Sequence, residues 1–95
     1  MTDEQARVLA RGGNIAVTWL DGRAFPGIHV QGDTFAGLCR QIAEAASRLR
    51  HTGGDSEASD DLGYAVEEMA GMVRFYESAL AERDIRRPYH HDDAG

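Results

Sequence analysis

The residues most suited to bind a ligand are concentrated in one segment, DGRAFPGIHVQGDTF, at positions 21–35. Arg23, His29 and Gln31 supply a cation, an imidazole and an amide, and Asp33 stands where a helix is predicted to begin. Free backbone N–H groups at a helix N-terminus favour an anion, so these four residues are the candidate ligand- or partner-binding residues. A structural interpretation stays open beside this one, because the glycines and Asp33 stand where the chain turns or a helix is capped.

Catalytic and metal chemistry find little support in the sequence. The HHDD run at positions 90–93 contains metal-ligand residue types, but it falls in a polar tail, residues 89–95, that we expect to be flexible and without fixed ligand geometry. Cys39 is expected to be a small core residue rather than a nucleophile. No nucleophile elbow, zinc-protease, P-loop or dinucleotide motif is present. We therefore predict no catalytic residue, no metal site and no cofactor, and an enzyme is the less expected class.

Two segments have the alternation of β-strands. NIAVTWL, residues 14–20, directs Ile15, Val17 and Trp19 to one side, and residues 27–31 place Ile28 and Val30 on one face. The loop between them is longer than a tight hairpin, and we expect the two strands to pair antiparallel.

The first segment allows two interpretations. Thr2 and Gln5 form a capping box that favours a short helix. Against this, ARVLAR before GGN reads as a strand and a turn, residues 6–11, with Val8 and Ala10 both pointing inward.

Two helices follow. Residues 34–50 have an apolar stripe at spacings of three and four, which consists of Phe35, Leu38, Ile42, Ala45 and Leu49. A loop rich in glycine and small polar residues separates this helix from a second one at residues 59–84, which should end because Pro88 excludes helical geometry from the residue before it. Its stripe alternates spacings of four and three over two and a half heptads and consists of Leu62, Val66, Met69, Val73, Tyr76 and Leu80.

The predicted fold class is α+β: a short antiparallel β-meander of two or three strands followed by an antiparallel pair of long α-helices. Residues 1–88 are expected to form a single domain. A sheet this small cannot cover both helices, and the second stripe is too long for a short partner helix. We therefore expect a homodimer, with either the second helix and its stripe from Leu62 to Leu80 or a sheet edge at the interface.

Charge and hydropathy limit the partners. The chain has 95 residues and a net charge of −6, which argues against nucleic acid, because a phosphate-backbone binder carries a basic field. No apolar run reaches the length of a membrane span, and the N-terminal residues lack the pattern of a secretory signal. With one cysteine, the cytoplasm is the expected location. The acidic surface suits a protein partner with a basic surface.

The segment FPGIHVQGDTFAGLCRQIAEAASRL resembles the core of HicB-type antitoxins. The residues that carry the resemblance are Pro26, Gly27, Gln31, Gly32, Asp33, Thr34 and the helix to Leu49. This resemblance implies that residues 6–11 are a strand. Over its whole length, including GRAFPG, QGD and RRPY, the chain looks more like a family of short bacterial proteins of unknown function. HicB-type antitoxins usually continue with another strand and often a DNA-binding segment, whereas a long heptad helix stands here, so neither operator binding nor a toxin partner carries over.

Two functions of different class follow. The first is a non-catalytic interaction protein of antitoxin, immunity or adaptor type that acts through protein–protein binding. The alternative is a small-ligand-binding or auxiliary subunit of a bacterial biosynthetic pathway, which would use the polar face of the sheet.

Overall fold

The computed structural model describes residues 3–53 and 56–89. The described chain contains three strands followed by two helices, which confirms the α+β class: β1 Ala6–Gly12, β2 Ile15–Leu20, β3 Gly27–Val30, α1 Gly32–His51 and α2 Ser56–Glu82. It forms two compact units, one that ends at Gln31 and contains the sheet, and one that begins at Gly32 and contains the helices.

The sheet is a meander in which antiparallel β1 and β3 flank β2. Residues Ala6–Gly12 form a strand, so of the two interpretations of this segment the strand is correct. The turn into β2 passes through Gly13, whose φ of 58° lies in the left-handed region that favours glycine.

A β-bulge divides β1. Val8 is opposite Thr18, whereas Ala10 is opposite Val17, so Leu9 is the extra residue on the bulged strand. Because neighbouring residues of β2 point to opposite faces, Val8 and Ala10 lie on different faces of the sheet. The expectation that both point inward is therefore wrong.

The loop after β2 is tied back to that strand. The backbone N–H of Arg23 donates to the carbonyl of Leu20 over 3.2 Å, and the indole N–H of Trp19 donates to the carbonyl of Arg23 over 2.8 Å. The guanidinium of Arg7 lies 5.2 Å from the centre of the Trp19 ring, within cation–π range. Trp19 thus links β1, β2 and the loop.

The helical unit is an antiparallel pair that packs closely through small side chains. Ala36 and Ala46 of α1 are buried, and the ring of Tyr76 in α2 lies so close to Gly32 that a Cβ at this position would overlap it. α1 begins at Gly32, two residues before the predicted start. The Asp33 carboxylate accepts a hydrogen bond from the Thr34 backbone N–H over 2.8 Å, which satisfies one of the free donors of the first turn.

α2 ends in a Schellman motif rather than at the proline. The N–H of Ile85 donates to the carbonyl of Leu80 over 2.9 Å, and that of Asp84 donates to Ala81 over 3.2 Å. Asp84 takes the left-handed conformation, with φ 56°, as the residue after the last turn does in this motif. The helix therefore ends at Glu82 and not at residue 84, and Pro88 is not what stops it.

Two glycines of α1 provide a test of the close helix contact. Gly32→Ala should lower the free energy of unfolding by about 1 kcal/mol or more, because the Tyr76 ring must move to admit the methyl group. A Cβ added at Gly37 would meet nothing within 4 Å, so Gly37→Ala should raise stability by up to about 1 kcal/mol through helix propensity. Urea unfolding followed by circular dichroism measures both; equal effects of the two changes would contradict the packing described.

Substitutions just after the two helices are expected to change stability in opposite directions. Asp84→Gly should stabilise the protein by up to about 1 kcal/mol, because glycine adopts the left-handed conformation without strain. Gly53, with φ 72° after α1, has open space around it, so Gly53→Ala should destabilise by a similar amount through backbone strain alone. Thermal melts of the two variants decide this; a lower melting temperature for Asp84→Gly would rule out strain at that residue.

Candidate functional site

The polar residues predicted as a site are spread along the sheet. Arg23 is bonded to Leu20 at one end of β2, whereas the N–H of Gln31 donates to the carbonyl of Asn14 over 2.9 Å just before the other end. Leu20 and Asn14 are six residues of extended chain apart, which is about 20 Å at roughly 3.3 Å per residue. The structure therefore does not bring Arg23 and Gln31 together.

His29 shares its face of the sheet with Arg11, which is not among the predicted site residues. Ala16 of β2 is opposite both Arg11 of β1 and His29 of β3, so Arg11 and His29 lie on the same face, about 10 Å apart across the central strand. Both are exposed. Asp33 belongs to the helical unit, where its carboxylate caps α1.

The six apolar residues of the predicted α2 stripe are all half-buried. The contact between Tyr76 and Gly32 places this stripe on the side of α2 that meets α1. Part of this stripe is therefore used inside the chain, and its role at an interface between copies stays a prediction.

The apolar stripe of α1 is more exposed than that of α2. Leu38 is 48% exposed, and Ile42 and Leu49 are also exposed, whereas the small residues Ala36 and Ala46 take the buried positions. α1 thus carries two adjacent apolar faces, one of small side chains toward α2 and one of large side chains toward solvent.

A second face of α2, which carries exposed aromatic side chains, was missed by the sequence analysis. Phe75 is 78% exposed and Tyr64 76%, and Met72 is exposed as well. Tyr64 and Phe75 belong to a row with Glu68 and Gly71 at spacings of four, three and four, the same helical periodicity that revealed the Leu62 stripe. This spacing was available in the sequence.

The sheet also exposes apolar side chains. Val17 is opposite Ala10 and Ile28, and Ile15 is opposite Val30, so these residues share one face. Ile15, Val17 and Ile28 are exposed on it. Exposed apolar patches of this kind mark interaction surfaces in soluble proteins.

The described residues contain no assembled site for a nucleophile or a metal ion. Cys39 is half-buried, and burial raises the pKa of its thiol, which disfavours the reactive thiolate. Residues 3–53 and 56–89 contain no group of three or more His, Cys, Asp or Glu side chains placed to hold a metal ion. The HHDD run lies outside the described residues. No helix in the described part is long and apolar enough to cross a membrane.

The residues after α2 are attached to that helix. The Tyr89 hydroxyl donates to Oε2 of Glu77 over 2.8 Å, and Nη2 of Arg87 lies 3.6 Å from Oε1 of the same carboxylate. Tyr89, which the sequence analysis placed in the flexible tail, is therefore held in place. Burial is the main reason that the pKa of Tyr89 is raised to about 12; the hydrogen bond to Glu77 and its negative charge raise it further, and Arg87 acts in the opposite direction.

This arrangement predicts sensitivity to alkaline pH. Because the pKa of Tyr89 is higher in the folded chain than its ordinary value of 10, its contribution is fully present below pH 10 and is lost as the pH rises toward 12. Thermal melts of wild type should show a lower melting temperature across this window, and Tyr89→Phe should show a smaller decrease from an already lower starting value. Tyr64→Phe, a change at an exposed tyrosine, is the control and should follow wild type. Identical pH profiles for wild type and Tyr89→Phe would contradict the assignment.

Comparison with known proteins gives a family and no function. A family model described as a family of unknown function, DUF6959, matches residues 1–89. No curated protein and no solved structure matches the chain.

Proposed function

We propose that this chain, which belongs to the DUF6959 family of unknown function, is a non-catalytic interaction protein that forms a homodimer and binds a further protein. The observation that carries the proposal is the distribution of apolar side chains. Large apolar residues are exposed on the sheet and on both helices, while among the described residues only Ala36 and Ala46 are buried. Apolar surface left in water opposes folding, so a partner that covers it is expected.

We assign the contact between copies to the exposed stripe of α1, Leu38, Ile42 and Leu49. The charges favour α1 over α2. α1 contains three arginines and two acidic residues, a net charge of +1, whereas α2 contains seven acidic residues and one arginine, a net charge of −6. Two α1 helices can approach each other through a heptad-spaced apolar stripe without the repulsion that two α2 helices would meet.

Whether this interaction protein acts as an antitoxin, an immunity protein or an adaptor depends on what its further partner is. An antitoxin, immunity or adaptor role fits a small dimer with unused apolar and acidic surface, and the resemblance to HicB-type antitoxins in residues 25–49 belongs to this group of roles. A single cysteine excludes an intramolecular disulfide and fits the reducing cytoplasm.

Binding of a small ligand by Arg11 and His29 is the second candidate function. It has less support because the two side chains lie on an exposed face about 10 Å apart.

The homodimer is tested with one variant and a control of equal charge. Light scattering after gel filtration should give wild type twice the chain mass of 10.4 kDa. Leu38→Glu should give the monomer mass, because each copy would place an unpaired carboxylate in the apolar contact. Gln41→Glu adds the same charge at an exposed polar position and should stay dimeric.

Circular dichroism of both variants shows whether the helices are retained. A monomeric wild type at high micromolar concentration would refute the homodimer. A Leu38→Glu variant that is folded and still dimeric would refute its assignment to α1.

A further inference from the structure

The outer row of α2, Tyr64, Glu68, Gly71 and Phe75 with Met72 beside it, faces away from the described part of α1. Tyr64 follows Leu62 by two residues and so lies about 200° around the helix from the stripe that meets α1. The two aromatic rings of the row are each more than three-quarters exposed. Tyrosine and phenylalanine are both enriched at protein interfaces, and tyrosine is among the residues on which binding energy concentrates.

The outer row lies on the most acidic element of the chain. Glu68 stands between the two aromatic residues, and Asp61 and Glu82 lie one helical turn or two beyond them on the same side. All three carboxylates are exposed. Arg74 is the one basic residue of the helix. The result is an apolar centre bordered by three carboxylates, with the Arg74 guanidinium beside Gly71 as the one positive charge of the helix.

Gly71 has no evident role in the packing of the described helix pair. A Cβ added there would meet nothing closer than the Arg74 guanidinium at 3.7 Å, so no neighbour requires a missing side chain, in contrast to Gly32. A glycine in a helix interior lowers stability by about 1 kcal/mol relative to alanine. It leaves a gap in the outer row between Glu68 and Phe75, beside the flexible Arg74 side chain, and another backbone can approach a glycine more closely than a larger residue.

We propose that the outer row of α2 binds a basic amphipathic helical segment of a partner protein. This inference rests on the proposed interaction function and names the surface and the chemistry of the partner. The apolar side of the segment would cover Tyr64, Met72 and Phe75, and its arginine or lysine side chains would meet Asp61, Glu68 and Glu82. Such cations also interact favourably with aromatic faces.

A second copy of this chain does not fit the outer row. Two α2 helices in contact would bring two net charges of −6 together, and like charges facing each other across an interface cost several kcal/mol. The neutral-to-basic α1 stripe remains the surface for the second copy, so the two contacts use different elements and do not compete.

The test uses a defined peptide as the probe. A fluorescein-labelled amphipathic peptide of about 18 leucine and lysine residues has roughly the length of the outer row from Asp61 to Glu82, and its binding is followed by fluorescence anisotropy. The full chain should bind it, binding should weaken as salt is raised, and the same peptide with glutamate in place of lysine should not bind.

Four variants locate the binding surface. Phe75→Gln should weaken binding about tenfold or more, as loss of an aromatic anchor does. Glu68→Gln should weaken it less, and Glu44→Gln, which removes an exposed carboxylate from α1, should leave it unchanged. Gly71→Ala separates binding from stability: it should raise the melting temperature and weaken binding.

The oligomeric state is measured on the same samples, so that failure of this inference can be told from failure of the proposed dimer. Leu38→Glu should bind the peptide whether or not it dimerises. Failure of wild type to bind the leucine–lysine peptide, or equal binding by Phe75→Gln, overturns the proposal. If Phe75→Gln turns a dimer into monomers, the second copy and not a basic partner occupies the outer row, and the proposal is overturned in that case as well.

Discussion

The close approach of α1 and α2 through small side chains is the constraint from which the other surfaces follow. Gly32 admits the ring of Tyr76, and Ala36 and Ala46 occupy the buried positions of α1. Burial of apolar area stabilises roughly in proportion to that area, so an alanine-lined contact contributes little compared with one lined by leucine. The larger residues Leu38, Ile42 and Leu49 of α1 are left outside the contact with α2 and are exposed.

Periodicity in the sequence predicted the elements better than the faces they bury. The alternation in Ile15–Leu20 and the heptad stripe of α2 gave the sheet and the second helix, because strand and helix periods are properties of the local chain. The same periodicity on α1 selected Leu38, Ile42 and Leu49, which are exposed. A hydrophobic period does not show which of two neighbouring apolar faces allows the closer approach, since that depends on side-chain size on the facing helix.

The candidate site illustrates a second limit, that closeness in sequence is not closeness across a sheet. Arg23 and Gln31 are eight residues apart, yet an antiparallel hairpin holds them near opposite ends of the same strand pair. The bulge at Leu9 places Val8 and Ala10 on different faces of the sheet. Because the bulge is a feature of the register between β1 and β2, the sequence of β1 alone does not reveal it. Arg11 and His29 share one face of the sheet only through this register. The spacing of Tyr64 and Phe75 could have been found in the sequence. It was missed because the stripe that begins at Leu62 was already sufficient to predict the helix.

The division of charge between the helices makes their exposed surfaces suited to different kinds of partner. Repulsion between acidic faces is largest where the surrounding dielectric is low, so contact between copies is least costly on α1, and attraction to a basic segment is greatest on α2. The Glu77 carboxylate, held by Tyr89 and Arg87, is an acidic group of α2 that is already satisfied within the chain. The carboxylates on the outer row are exposed instead, and they are the ones that a partner's cations can reach. A helix pair too small to enclose a core can in this way present two interaction surfaces, distinguished by charge rather than by shape.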